Sequence, residues 1–216
     1  MDTFEIHRAR EGRDLGGSKN VTTAMRTRIA AGGATVALAA TTVLVAAPSA
    51  DAKPATLKSS YSCATVLGAQ KMAVTVKLDL PAKVKRGKRV AARPVNLTVV
   101  VPESLVSPMR DLLGISALSG SASSIKYTVG AKKVALSKVR IPRTAVPASG
   151  SMVLKATGVA GGFKAPKKRG KLVVRIPRSF VFNASNQNGQ AVPSSPFTCT
   201  IVKGAPTRLG AIKVVK

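Results

Sequence analysis

Met72-Ala73-Val74-Thr75-Val76-Lys77-Leu78-Asp79-Leu80 places a large apolar side chain at every second position and a small or polar one between. A period of two belongs to an extended chain with one face in a core and the other in water, so the stretch predicts a half-buried antiparallel strand. The pattern returns at Val95, Leu97, Val99 and Val101, at Met152, Leu154 and Ala156, and at Leu172, Val174 and Ile176. Turn signals separate the runs: Pro81, Arg86-Gly87, Ser119-Gly120, Gly130, Ser149-Gly150, Gly161-Gly162, Asn188-Gly189 and Gly204. Short strands with regular punctuation and almost no helical periodicity predict an all-β domain, a sandwich or a barrel.

Two local departures carry their own predictions. Ser107 as a cap, Pro108 at the first helical position, Met109 and Leu112-Leu113 at helical spacing and Gly114 as a stop predict one short connector helix over an end of the core. From Val134 to Ile141 the alternation loses phase, and one extra residue near Ser137-Lys138, a β-bulge, restores it.

The N-terminal region addresses the compartment. Arg26 and Arg28 precede an apolar run from Ile29 to Ala47, then Pro48, then Ala50-Asp51-Ala52 with small residues where a signal peptidase reads. Residues 25–52 therefore read as a signal peptide cleaved before Lys53, with residues 1–24 an upstream extension or a misassigned start, since Met25 directly precedes Arg26. An uncleaved membrane anchor is the competing reading. Residues 53–216 form the domain proper. Its two cysteines, Cys63 and Cys199, lie in strand-like segments near opposite ends and share a face with Tyr61 and with Phe197 and Ile201. In an exported protein a core disulfide from the first strand to a late one is expected, as inter-sheet bridges do in sandwiches. Two unrelated buried thiols are the alternative.

Charge is the most unusual property. The first 52 residues hold six Lys/Arg and five Asp/Glu, whereas residues 53–216 hold 29 Lys/Arg and three acids, a net charge of +26. A surface of that sign attracts anionic envelope polymers, anionic lipid surfaces and, without sequence preference, nucleic acid. Lys85-Arg86-Gly87-Lys88 recurs as Lys168-Arg169-Gly170-Lys171, each placing three cations around a glycine ahead of a strand, from Val90 and from Leu172. If both emerge at one end, they would form with Lys83, Arg89, Arg93, Lys164 and Lys167 a basic lip for repeated phosphates. Lysine-rich turns that keep an exported β protein soluble are the plainer explanation.

The residue types for catalysis are scarce. The single histidine, His7, precedes the signal, and Asp79, Glu103 and Asp111 are the only acids of the domain. Histidine-based triads are thereby excluded, carboxylate pairs and hard-metal sites have little to draw on, and no cofactor or small-molecule substrate is evident. With no tryptophan and only six aromatic residues between 53 and 216, stacking platforms are poorly supplied, so polyanion binding should be electrostatic. The expectation is a non-enzymatic exported protein held at the cell envelope through its basic surface, or alternatively a released cationic effector.

Several ordered pieces resemble the family catalogued as domain of unknown function 6801, exported proteins of actinobacteria. They are Leu57-Lys58-Ser59-Ser60-Tyr61-Ser62-Cys63, the strand Met72–Leu80, Val101-Pro102-Glu103-Ser104-Leu105 running into Leu112-Leu113-Gly114, Ile141–Gly150 with its Val-Pro-Ala-Ser-Gly ending, Leu154–Gly158, and Phe197-Thr198-Cys199. The resemblance implies an immunoglobulin-like antiparallel β-sandwich bridged from Cys63 to Cys199, and it implies no activity.

Overall fold

The computed structural model describes residues 52–216; the extension and the signal peptide expected over residues 1–52 lie outside the described residues except for Ala52. In chain order the elements are β1 (Ala52–Thr65), β2 (Gly68–Pro81), β3 (Lys83–Lys85), β4 (Arg89–Val90), β5 (Arg93–Val101), α1 (Glu103–Asp111), β6 (Ala117–Ser123), β7 (Lys126–Val129), β8 (Lys132–Ala145), β9 (Met152–Ala160), β10 (Phe163–Lys164), β11 (Gly170–Arg175), β12 (Ser179–Ser185), β13 (Phe197–Ile201) and β14 (Arg208–Val215). Each alternating run is a strand with its large apolar side chains turned inward, except that Ile176 lies just past the end of β11. In β2, Val74, Val76, Leu78 and Leu80 are buried while Ala73, Lys77 and Asp79 are exposed.

The all-β class is present, but the expected immunoglobulin-like sandwich is not the hydrogen-bonded arrangement. Strands β8-β6-β12-β13-β1-β2-β5-β9 run in that order, and β9 pairs back onto β8, closing an eight-stranded antiparallel barrel. A second row, β7-β11-β14-β3, continues from the N-terminal part of β8. The reason lies in β8. Residues Lys132–Ala135 pair with β7, whereas Leu136 to Ala145 pair with β9 and β6. At the change of partner the register shifts between Ser137 and Arg140, and Lys138 has φ +55°. The bulge predicted from lost phase thus bends one strand so that it serves both the ring and the row.

The row folds over β1, β2 and β5, so that Val129, Val174, Ile176, Leu209 and Ile212 share a core with Val76, Leu78, Leu80 and Val95. Gly210 makes this approach close: a Cβ there would stand 2.7 Å from Leu80 Cδ1. The other half of the core gathers under α1, where Leu105, Val106 and Met109 meet Leu118, Ile141, Met152 and Leu154.

The helix starts earlier than predicted. Pro102 is its cap, with φ −68° and ψ 152°, and Pro108 stands inside it. Burial of Leu105 and Val106 requires helix before Ser107, and this outweighs the hydrogen bond that Pro108 cannot give to the Ser104 carbonyl, on an exposed residue where water can serve. Gly114 ends the turn at φ +60°, as expected, but Leu112 and Leu113 are exposed rather than on the buried face.

Cys63 and Cys199 are bridged. The bridge does not cross between layers: it joins directly opposed residues of neighbouring strands β1 and β13, with Cα atoms 4.0 Å apart. Closure of the sheet makes the first strand and a late strand neighbours, so the pairing expected across a sandwich falls within one wall.

Candidate functional site

The first Lys-Arg-Gly-Lys segment is a β-turn closed by the Lys88 N–H donating to the Lys85 carbonyl at 3.2 Å. Gly87 sits at the third position with φ +70°, a conformation that costs glycine nothing. Only Arg89–Val90 of the predicted following strand is regular there; the long strand resumes at Arg93. The second segment is not a turn of the same kind, since β11 begins at Gly170 itself.

The fold nonetheless brings the two segments together. β4 pairs with β10, setting Arg89 opposite Lys164. The Gly87 N–H donates to the Pro166 carbonyl at 3.2 Å, and the Ala165 N–H donates to the Lys88 carbonyl at 2.9 Å. Lys85, Arg86, Lys88 and Arg89 therefore lie against the stretch carrying Lys164, Lys167, Lys168 and Arg169, and all eight are exposed. Arg93 is the exception among the predicted residues. It is half-buried, its Nε has no hydrogen-bond partner, and it lines a pocket of about 20 Å³ with Val90, Phe163 and Tyr127.

The β7-β11-β14-β3 row joins the predicted Lys83 and Lys171 to Lys213, Lys133, Arg175 and Arg208, which sequence reading missed. Lys171 stands opposite Lys213, which stands opposite Lys83, so three exposed lysines lie abreast on adjacent strands. Four residues further along β11, Lys133 faces Thr128, Thr128 faces Arg175, and Arg175 faces Arg208. Adjacent strands are about 4.8 Å apart, and like charges placed directly opposite destabilise a sheet. No compensating acid is at hand: the only ion pair among the described residues joins Arg110 to Asp111 beside α1, at 2.7 Å. The hydrogen bond from Arg110 holds the Asp111 carboxyl below its ordinary range. Glu103, at the start of α1, accepts from the Gly150 N–H at 3.0 Å.

Inside the barrel is a second feature, a cavity of about 150 Å³ reaching from Val66, Leu113 and Pro193 past Val74 and Val76 to Val174 and Leu209. Apart from Thr65, Tyr61, Tyr127 and Arg175, its wall is apolar. The phenol of Tyr61 donates to the Pro177 carbonyl at 2.6 Å and that of Tyr127 to the Gly161 carbonyl at 2.7 Å. Burial raises both phenols above their ordinary value of 10.0, Tyr127 to about 12.

A disulfide-closed antiparallel β-barrel with one strongly basic face and an apolar interior is the class of protein these features define. The family model of unknown function DUF6801 matches residues 60–210, spanning both cysteines and both basic segments, and the chain belongs to that family. No curated protein and no solved structure matches the chain.

Proposed function

We propose that this chain is a non-catalytic, exported β-barrel protein that works at the cell envelope, where its basic end and the outer face of the β7-β11-β14-β3 row bind an anionic polymer. The observation that carries this reading is the arrangement of like charges: Lys83, Lys213 and Lys171 abreast, and Arg175 opposite Arg208, with no acid between. A repulsive row costs stability in the free protein and is relieved by a ligand with repeated negative charge. The disulfide supports an oxidising compartment. Lys85, Arg86, Lys88, Lys168 and Arg169, set against each other by the β4–β10 pair, add the lip predicted from the sequence.

The test is binding to polyphosphate, duplex DNA and anionic vesicles over a salt series, with Lys85, Arg86, Lys88, Lys168, Arg169 and Lys171 replaced by Gln. Loss of affinity and a shallower salt slope in this variant, beyond that caused by six exposed lysines replaced elsewhere, is the expected result. Equal losses in both variants would sink the assignment to this face.

A further inference from the structure

The barrel cavity is not absorbed by the reading above, and its shape and chemistry single out a ligand class. Met72, Val74, Val76 and Leu78, successive inward residues of β2, all line it. At roughly 3.4 Å per residue they span about 20 Å of strand. A volume of about 150 Å³ drawn out over that length is a slot rather than a chamber. Eight strands give an interior that side chains can just fill or that can hold one small ligand. Here the wall includes Ala122, Ala156, Ala160 and many valines, which leave the axis unfilled.

Among the polar residues of the wall, only the exposed Arg175 keeps N–H groups beyond those already hydrogen-bonded. The two phenols are committed to backbone carbonyls, Thr65 Oγ1 donates to the Gly68 carbonyl, and Arg175 Nη1 donates to Thr207 Oγ1. The mouth is marked from outside. Five large hydrophobic residues are exposed among the described residues, and four stand here: Val66 (46%) and Leu67 (41%) in the β1–β2 turn, Leu112 (77%) and Leu113 (42%) after α1. Val66 and Leu113 line the same cavity, so turn and helix end flank one opening.

We propose that the barrel interior binds one unbranched hydrocarbon chain, a fatty-acyl or alkyl tail, taken up between the Val66-Leu67 turn and the Leu112-Leu113 end of α1 with its polar head left outside. A small, apolar slot accepts methylene groups and disfavours sugars and nucleotides, for which its wall has too few hydrogen-bonding groups.

The experiment uses the purified exported protein and cis-parinaric acid, a linear fatty acid that fluoresces in apolar surroundings. Saturable binding of one probe per chain is expected, displaced both by palmitate and by uncharged 1-hexadecanol. Replacing Ala156 by Phe in the slot should weaken binding at least tenfold. Should that variant fail to fold, Val66→Asn with Leu113→Asn at the exposed mouth should slow uptake several-fold with the fold intact. The six-Gln variant of the basic lip should bind the probe like the parent, which separates this site from charge attraction. Uptake of pyrene-labelled phosphatidylglycerol from vesicles would assign the chain to a phospholipid, and parinarate binding without it to a free acid or alcohol. Absence of saturable binding, displacement by palmitate but not by hexadecanol, or full binding by a folded Ala156→Phe protein would overturn the proposal.

Discussion

Replacing Lys213 by Glu should stabilise the free protein while weakening its hold on polyanions. Lys213 lies between Lys83 on one side and Lys171 on the other, all exposed. The substitution turns two like-charged cross-strand neighbours into two opposite-charge pairs, each worth roughly 0.2–1 kcal/mol. Exposed, flexible side chains keep the sum near the lower end, about 1 kcal/mol at low ionic strength. For a domain of this size that corresponds to a rise in Tm of roughly 2–4 °C. The assay is thermal unfolding followed by circular dichroism in 10 mM and in 1 M NaCl. At 1 M the screening length falls to about 3 Å, and the gain should vanish. Polyphosphate binding by the same variant should lose affinity and show a salt dependence shallower by about one released counterion or more. A Tm that is unchanged or lower at low salt would show that the lysine row carries no repulsion, and the reading of this face as a polyanion surface would lose its main support.

Two further outcomes concern the framework. Cys63 and Cys199 are 136 residues apart in sequence, and opening that loop forfeits about 5 kcal/mol in the chain-entropy model, so Cys199→Ser should cost about 2–5 kcal/mol; an unchanged urea midpoint without reductant would contradict it. The phenols of Tyr61 and Tyr127 are raised in the folded state from 10.0. The unfolded chain ionises first, so the stability these two phenols contribute should be constant below about pH 10 and decline above it. Phenolate absorbance at 295 nm, undisturbed in a protein without tryptophan, should appear above pH 11 together with unfolding; two tyrosines titrating near pH 10 in a folded protein would refute the burial argument.

The strands β2, β5, β9 and β11 were legible because each carries its own alternation, and the β8 bulge because lost phase is a local signal. Closure of the barrel was not, since it depends on β9 reaching both β5 and β8, and no residue of Met152–Ala160 states its partners. The helix start was misplaced because Ser107-Pro108 imitates a cap so well; the burial of Leu105 and Val106 that overrides it is tertiary. The lip was read residue by residue, yet its assembly through β4 and β10 rests on two-residue strands too short to show a period. Lys213 was passed over because its meaning comes from a parallel neighbour, β3, more than a hundred residues away. The slot was equally silent in the sequence: valines and alanines read as core whether or not they fill it.

The closed ring also governs how copies of this protein meet. Where strands leave the ring, unpaired backbone is offered to other chains, and two such stretches are guarded. Before Ser60 the N-terminal part of β1 pairs only with β2, and it carries Lys53, Pro54 and Lys58. The outermost strand of the row, β3, is three residues long with Lys83 and Lys85 at its ends. Lysine and proline at open edges deter strand-to-strand aggregation, here reinforced by mutual repulsion of cations. That safeguard depends on the charges remaining bare. A polyanion that neutralises them removes it, so turbidity near charge equivalence, clearing again in excess polymer, is the expected solution behaviour, with the β1 and β3 edges as the places where neighbouring molecules first join.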